Sequence, residues 1–142
     1  MKDQVFIEVY SDGSGNTFAS DGGWGYVIRI NGEFLYEESG YLPIATNNTA
    51  ELTAAIKGLE YVMSIAVSVG ARVELISDSQ LVLGYASGKW KCKAIHLATL
   101  CVQLRKLYSK LNCSQRWERG HQGEVNNERC DELAKSARLA KG

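Results

Sequence analysis

The sequence predicts an α/β fold: a five-stranded mixed sheet, with an antiparallel meander and parallel strands, flanked by helices. Three observations carry it. Short runs rich in β-branched and aromatic residues open the chain, an Asn31-Gly32 pair separates two of them, and later strands alternate with stretches whose apolar residues recur every three or four positions. A length of 142 residues matches one ordinary domain, and with no repeat or linker visible a single domain over 1–142 is expected.

Val5 to Ser11, in VFIEVYSDGSG, reads as a strand that ends at the turn signal Asp12-Gly13. GWGYVIRINGEFLYEESGY, 23–41, reads as two strands around Asn31-Gly32, because both residues tolerate the positive φ of a two-residue hairpin. The first three strands should therefore form the meander. A helix from Asn48 to Val67 follows, stopped by Gly70, with Leu52, Ala55, Ile56, Leu59 and Met63 as its apolar stripe; Asn48 and Glu51 have capping-box spacing. ARVELISD, 71–78, is a strand and a helix begins near Ser79, so the strand–helix–strand order predicts parallel pairing. ASGKWKCK, 86–93, is a loop by composition. Ile95 to Lys110 is helical, with Leu97, Leu100, Leu104, Leu107 and Leu111 as a core face. SQRWERG is a short strand, GHQGEVNN a polar loop, and Glu128 to Leu139 a last helix.

Sixteen basic and sixteen acidic residues cancel, which argues against coating nucleic acid by bulk charge; a polyanion must be met locally. No apolar run reaches the roughly eighteen residues of a membrane span, and Met1 to Gln4 lacks the character of a secretory start, so a cytoplasmic protein is expected. Cys92, Cys101, Cys113 and Cys130 contain no CxxC pair, and Cys92, His96 and Cys101 match a metal pattern only loosely; inert thiols in a reducing compartment are expected.

Ligands of α/β sheets gather beyond the carboxyl ends of strands. Asp12 and Asp78 follow two such ends, Glu51 opens the helix between them, and Asp131 falls in the first turn of the last helix. Each has a local reading, as a turn residue, a cap or a partner of a helix dipole. Jointly, the crossover brings the two strand ends and the intervening helix to one sheet edge. Carboxylates crowded there repel by about 1 kcal/mol per pair at ~4 Å in water, and more at lower dielectric, so a cation should compensate. Mg²⁺ takes such oxygen ligands, and two ions ~3.5–4 Å apart suit phosphoryl transfer.

SDGSG at 11–15, TNNTAEL at 46–52, SDSQ at 77–80 and GHQGEVNNERCDELA at 120–134 resemble, in order and with similar separations, the motifs of type 1 ribonuclease H. The resemblance covers nearly the whole chain. It implies the ribonuclease H-like fold and endonucleolytic cleavage of the RNA strand of RNA–DNA hybrids. Two Mg²⁺ ions would serve, with Mn²⁺ as substitute, giving 5′-phosphate and 3′-hydroxyl ends. Carried over by motif, the metal-binding acids are Asp12, Glu51, Asp78 and Asp131, and His121 assists proton transfer or product release. Backbone groups at Gly13 and Ser14 and the side chains of Asn16, Asn48 and Gln80 correspond to groups that read the 2′-hydroxyl, the feature separating RNA from DNA. Thr46 and Asn47 resemble contacts to the DNA strand and its phosphate. Contacts to sugar and backbone imply little base-sequence dependence. The partner implied is the hybrid itself, with no obligate protein partner and a monomeric state.

Three departures mark this chain. GNTFASDGG replaces the family's Gly-Asn-Pro-Gly loop, Ile44 stands where many bacterial members have arginine, and the basic protrusion of longer members is missing, which makes this the short form. KWKCK is the remaining basic and aromatic cluster. Lys89, Lys91 and Lys93 read either as a solvated loop or as phosphate contacts, with Trp90 against a sugar. Two rival functions stay open, a two-metal nuclease of another duplex and a non-catalytic hybrid-binding module.

Overall fold

The hairpin forms where Asn-Gly chemistry places it: Asn31 (φ 50°) and Gly32 (φ 82°) join β2 (Gly22–Ile30) to β3 (Glu33–Leu42). The computed structural model describes residues 4–15, 21–65, 70–120 and 123–140. β1 (Phe6–Gly15) pairs antiparallel with β2, completing the meander, and parallel with β4 (Arg72–Ser77), which pairs parallel with β5 (Ser114–Trp117). The strand order is β3-β2-β1-β4-β5, so the expected five-stranded mixed sheet is present.

β1 runs past Asp12 to Gly15, which corrects the expected end at Ser11. Asp12 and Gly13 pair with Gly25 and Trp24 and form no turn. The glycine serves close approach instead: a Cβ on Gly13 would lie 2.3 Å from the backbone of Ala50 and Glu51.

Those two residues belong to α1 (Asn47–Ser64), whose start also differs from expectation. Thr46 is the N-cap: its hydroxyl accepts from Thr49 N at 3.2 Å, and Thr49 Oγ1 accepts from Thr46 N at 2.7 Å. This reciprocal pair takes the capping role expected of Asn48 and Glu51, and both of those residues lie inside the helix. The helix stops at Ser64 because Ile65 is extended (φ −99°, ψ 138°); Ala66 and Val67 lie outside the described residues.

α2 (Gln80–Ser87) is capped by Ser79, whose hydroxyl accepts from Val82 N at 3.2 Å, and ends at Gly88 in the left-handed region (φ 79°). After the KWKCK loop a 3₁₀ turn (Ile95–Leu97) leads into α3 (Ala98–Lys110). Of the predicted core face, Leu97, Leu104 and Leu111 are buried and Leu100 and Leu107 partly so. α4 (Val125–Ala140) starts before the expected Glu128, because the Glu124 carboxylate accepts from Asn127 N at 2.6 Å and caps it early. Asp131 is thereby one turn further into the helix than its expected place.

Alternation along the strands divides the core. Ile7, Val9, Tyr26, Ile28 and Leu75 meet Leu52, Leu59, Val82 and Leu104 of α1–α3 on one face, and Tyr10, Val27 and Ile76 meet Cys130 of α4 on the other. No helix among the described residues is long and apolar enough to cross a membrane.

Candidate functional site

Parallel pairing places Ser11 of β1 beside Ser77 of β4, so the next residues, Asp12 still within β1 and Asp78 just past the end of β4, are neighbours where that pairing ends. The contact permitted by Gly13 presses the first turns of α1 against β1 and delivers Glu51 to the same edge. One carboxylate oxygen from each of Asp12, Glu51 and Asp78 lies within 4.8 Å of the others.

Each acid is supported locally. Asp12 Oδ1 accepts from Gly13 N at 2.9 Å. Glu51 Oε1 accepts from Asn47 Nδ2 at 2.7 Å. The Asp78 backbone carbonyl accepts from Trp117 Nε1 at 3.0 Å. Asn47 in this supporting role was missed from sequence, although its spacing of four residues before Glu51 on a helix was a usable signal. The Trp117 contact had none, since it depends on the β4–β5 register.

Burial, then the charges of Asp78, Glu51 and Asp131, push the Asp12 carboxyl up to about 8, against the donor effect of Gly13 N–H. The Glu51 carboxyl is raised mainly by burial, with Asp78 adding to it and the hydrogen bonds from Ser79 and Asn47 opposing. A cluster of three carboxylates, one holding its proton to neutral pH, is a set of oxygen donors matched to a hard divalent cation. Cation charge would favour the ionised carboxylate against the burial and the neighbouring charges that hold the proton on Asp12.

The other predicted positions fall around this centre. Asp131 influences Asp12 by charge but is not one of the three converging acids, and its carboxylate pairs with Lys135 at 3.0 Å. Ser14 is buried within β1, Thr46 is occupied as the α1 cap, and Asn48 and Gln80 are exposed at the starts of α1 and α2. Lys89, Lys91 and Lys93 are exposed, whereas Trp90 packs on Gly84, where a Cβ would come within 2.4 Å of the indole, and meets Tyr85 edge-on at 6.4 Å. The loop is thus anchored to α2 by its tryptophan. Asn16 and His121 lie outside the described residues.

A family model described as RNase H matches residues 4–138. The chain is 40% identical over 142 aligned positions to the ribonuclease H of Syntrophotalea carbinolica, across 92% of this chain and 90% of that one. Among solved structures, it superposes on the N-terminal RNase H domain of a Mycobacterium tuberculosis protein with a TM-score of 0.82 and 30% identity, covering 97% of this chain and 96% of that one. LC11-RNase H1, solved in complex with an RNA/DNA hybrid, gives a TM-score of 0.83 at 27% identity, covering 94% and 97%.

Proposed function

The chain belongs to the ribonuclease H family of enzymes, and from that premise we propose that it hydrolyses the RNA strand of RNA–DNA hybrids by two-metal-ion catalysis. The observation that carries the reading is the convergence of Asp12, Glu51 and Asp78 within 4.8 Å. The hybrid bound by LC11-RNase H1 supports the choice of substrate.

Asp12, Glu51 and Asp78 hold the divalent ions, with Asp131 as a fourth ligand; Mg²⁺ is the natural choice and Mn²⁺ a substitute. When bound, the ions would supply charge neutralisation at the reacting phosphate and acidification of water, and the products would carry 5′-phosphate and 3′-hydroxyl ends. Asp12 gives up its proton as the cation loads, since carboxylates bind metal in their ionised form. Gly13 and Ser14 present backbone to the RNA strand, while Asn16, Asn48 and Gln80 read its 2′-hydroxyls. Thr46 and Asn47 meet the DNA strand, Lys89 and Lys91 meet phosphates of the hybrid with Trp90 against a sugar, and His121 assists proton transfer or product release. The chain acts as one domain over 1–142, in the cytoplasm and without an obligate protein partner.

The test is cleavage of a labelled hybrid, with RNA and DNA duplexes as controls, by wild type and Asp78→Asn with and without Mg²⁺. Hybrid-selective, Mg²⁺-dependent cutting lost in the variant is expected. Equal cutting of a control duplex would transfer the reading to a nuclease of that duplex, and binding without turnover would leave only a hybrid-binding module.

A further inference from the structure

Asp12 lies within β1 and Glu51 within α1, but Asp78 sits in the turn between β4 and α2, outside any regular element. Its position at the sheet edge therefore depends on contacts beyond β4 itself. The β4–β5 ladder reaches Ser77 beside Trp117, and Glu118 N donates to Ser77 O at 3.0 Å. One residue further on, the contact passes to a side chain: Trp117 Nε1 donates to the Asp78 carbonyl at 3.0 Å. An indole has one donor and no competing acceptor, so this contact has a single geometry.

Burial does not account for the tryptophan. Trp117 is 43% exposed, and it belongs to neither hydrophobic cluster. The Arg119 guanidinium lies over its ring, 5.4 Å from the centroid, a cation–π contact that favours one placement of the indole. The chain after β5 then passes so near Asp78 that a Cβ on Gly120 would lie 2.8 Å from Oδ2. The β5 segment thus abuts Asp78 at both its carbonyl and its carboxylate.

We propose that Trp117 is a positioning residue for the metal centre, fixing the Asp78 peptide so that its carboxylate meets Asp12 and Glu51. The inference rests on the ribonuclease H reading of the site. It assigns Trp117 no contact with substrate.

The experiment compares wild type with Trp117→Phe, which keeps an aromatic ring and removes the donor. Mn²⁺ binding is measured by calorimetry without substrate, the unfolding midpoint in EDTA, and kcat and KM on a hybrid. A drop of about 10- to 100-fold in Mn²⁺ affinity and in kcat is expected, at similar KM and similar midpoint, as for loss of a group that orients a metal ligand. In wild type without metal, the Trp117 indole proton should exchange with solvent more slowly than that of Trp90, which is exposed to a similar extent (44%). Unchanged Mn²⁺ affinity and kcat in Trp117→Phe, with active wild type, would overturn the inference alone. A loss explained by a lowered midpoint would reduce Trp117 to a structural residue. Wild type that neither binds Mn²⁺ nor cuts the hybrid would bring down the reading of the site as well.

Discussion

The Asn47 side-chain amide donates to Glu51 Oε1 at 2.7 Å while its carbonyl oxygen accepts from Gly15 N at 3.3 Å. One residue thus ties the acid of α1 to the end of β1, and the carboxylate is oriented by a group that the sheet itself holds. Asn47→Ala should lower divalent-metal affinity and kcat by about 10- to 100-fold, at a stability cost of about 1 kcal/mol. Calorimetry and hybrid cleavage check it, and unaltered metal affinity would refute the orienting role.

Asp12 should make the metal-free protein less stable as pH rises. Its carboxyl titrates near 8 when folded, against an ordinary value of 3.8, so between these values the folded state holds a proton that the unfolded chain has lost. Raising pH through that window favours unfolding, by at most about 1.4 kcal/mol per pH unit, and the effect levels off above about pH 8. In EDTA, denaturant unfolding of Asp12→Asn should lack this decline and exceed wild type at pH 8 by on the order of 1–3 kcal/mol. Mg²⁺ should raise the wild-type midpoint more at pH 8 than at pH 6, since protons compete for the same oxygens.

Gly13→Ala places a methyl against the Ala50 and Glu51 backbone, which cannot swing aside as a side chain would. A loss of about 3 kcal/mol or more is expected, together with loss of cleavage, because α1 must retreat from β1 and carry Glu51 with it. A variant as stable as wild type would contradict the close approach.

The two capping assignments separate on stability. Thr46→Ala should cost about 1 kcal/mol, since it empties the cap that Thr49 N uses, whereas Asn48→Ala should stay within about 0.5 kcal/mol. Thermal unfolding in EDTA reads both without interference from metal.

Replacing Lys89, Lys91 and Lys93 together by alanine should flatten the salt dependence of hybrid binding. Each phosphate that is no longer neutralised changes the slope of log K against log salt by about 0.9. Titrations across a salt series check it, and an unchanged slope would leave the loop merely solvated.

The fold was largely legible because its signals are local. The Asn31-Gly32 hairpin, the leucine spacing of α3 and the helix start near Ser79 are each encoded within a few residues, and all appear where the sequence places them. The expectations that failed had two local meanings. Asp12-Gly13 is a turn signal in isolation, yet lies in a strand because β2 pairs with it and α1 needs the space over Gly13. Asn48 and Glu51 have capping-box spacing, yet Thr46 and Thr49 satisfy the helix start first.

By itself the sequence determined the order of strands and helices, the family resemblance and the candidacy of Asp12, Glu51 and Asp78, the three acids that converge, because backbone preference, apolar periodicity and motif order are carried along the chain. Tertiary structure alone decided how those acids behave. The β1–β4 register sets Asp12 beside Asp78, Gly13 admits Glu51, and burial among these charges raises the Asp12 carboxyl to about 8. Asn47 and Trp117 became supports of the site only when β1 met α1 and β4 met β5. These effects depend on distances between residues far apart in sequence, and only the packed sheet sets those distances.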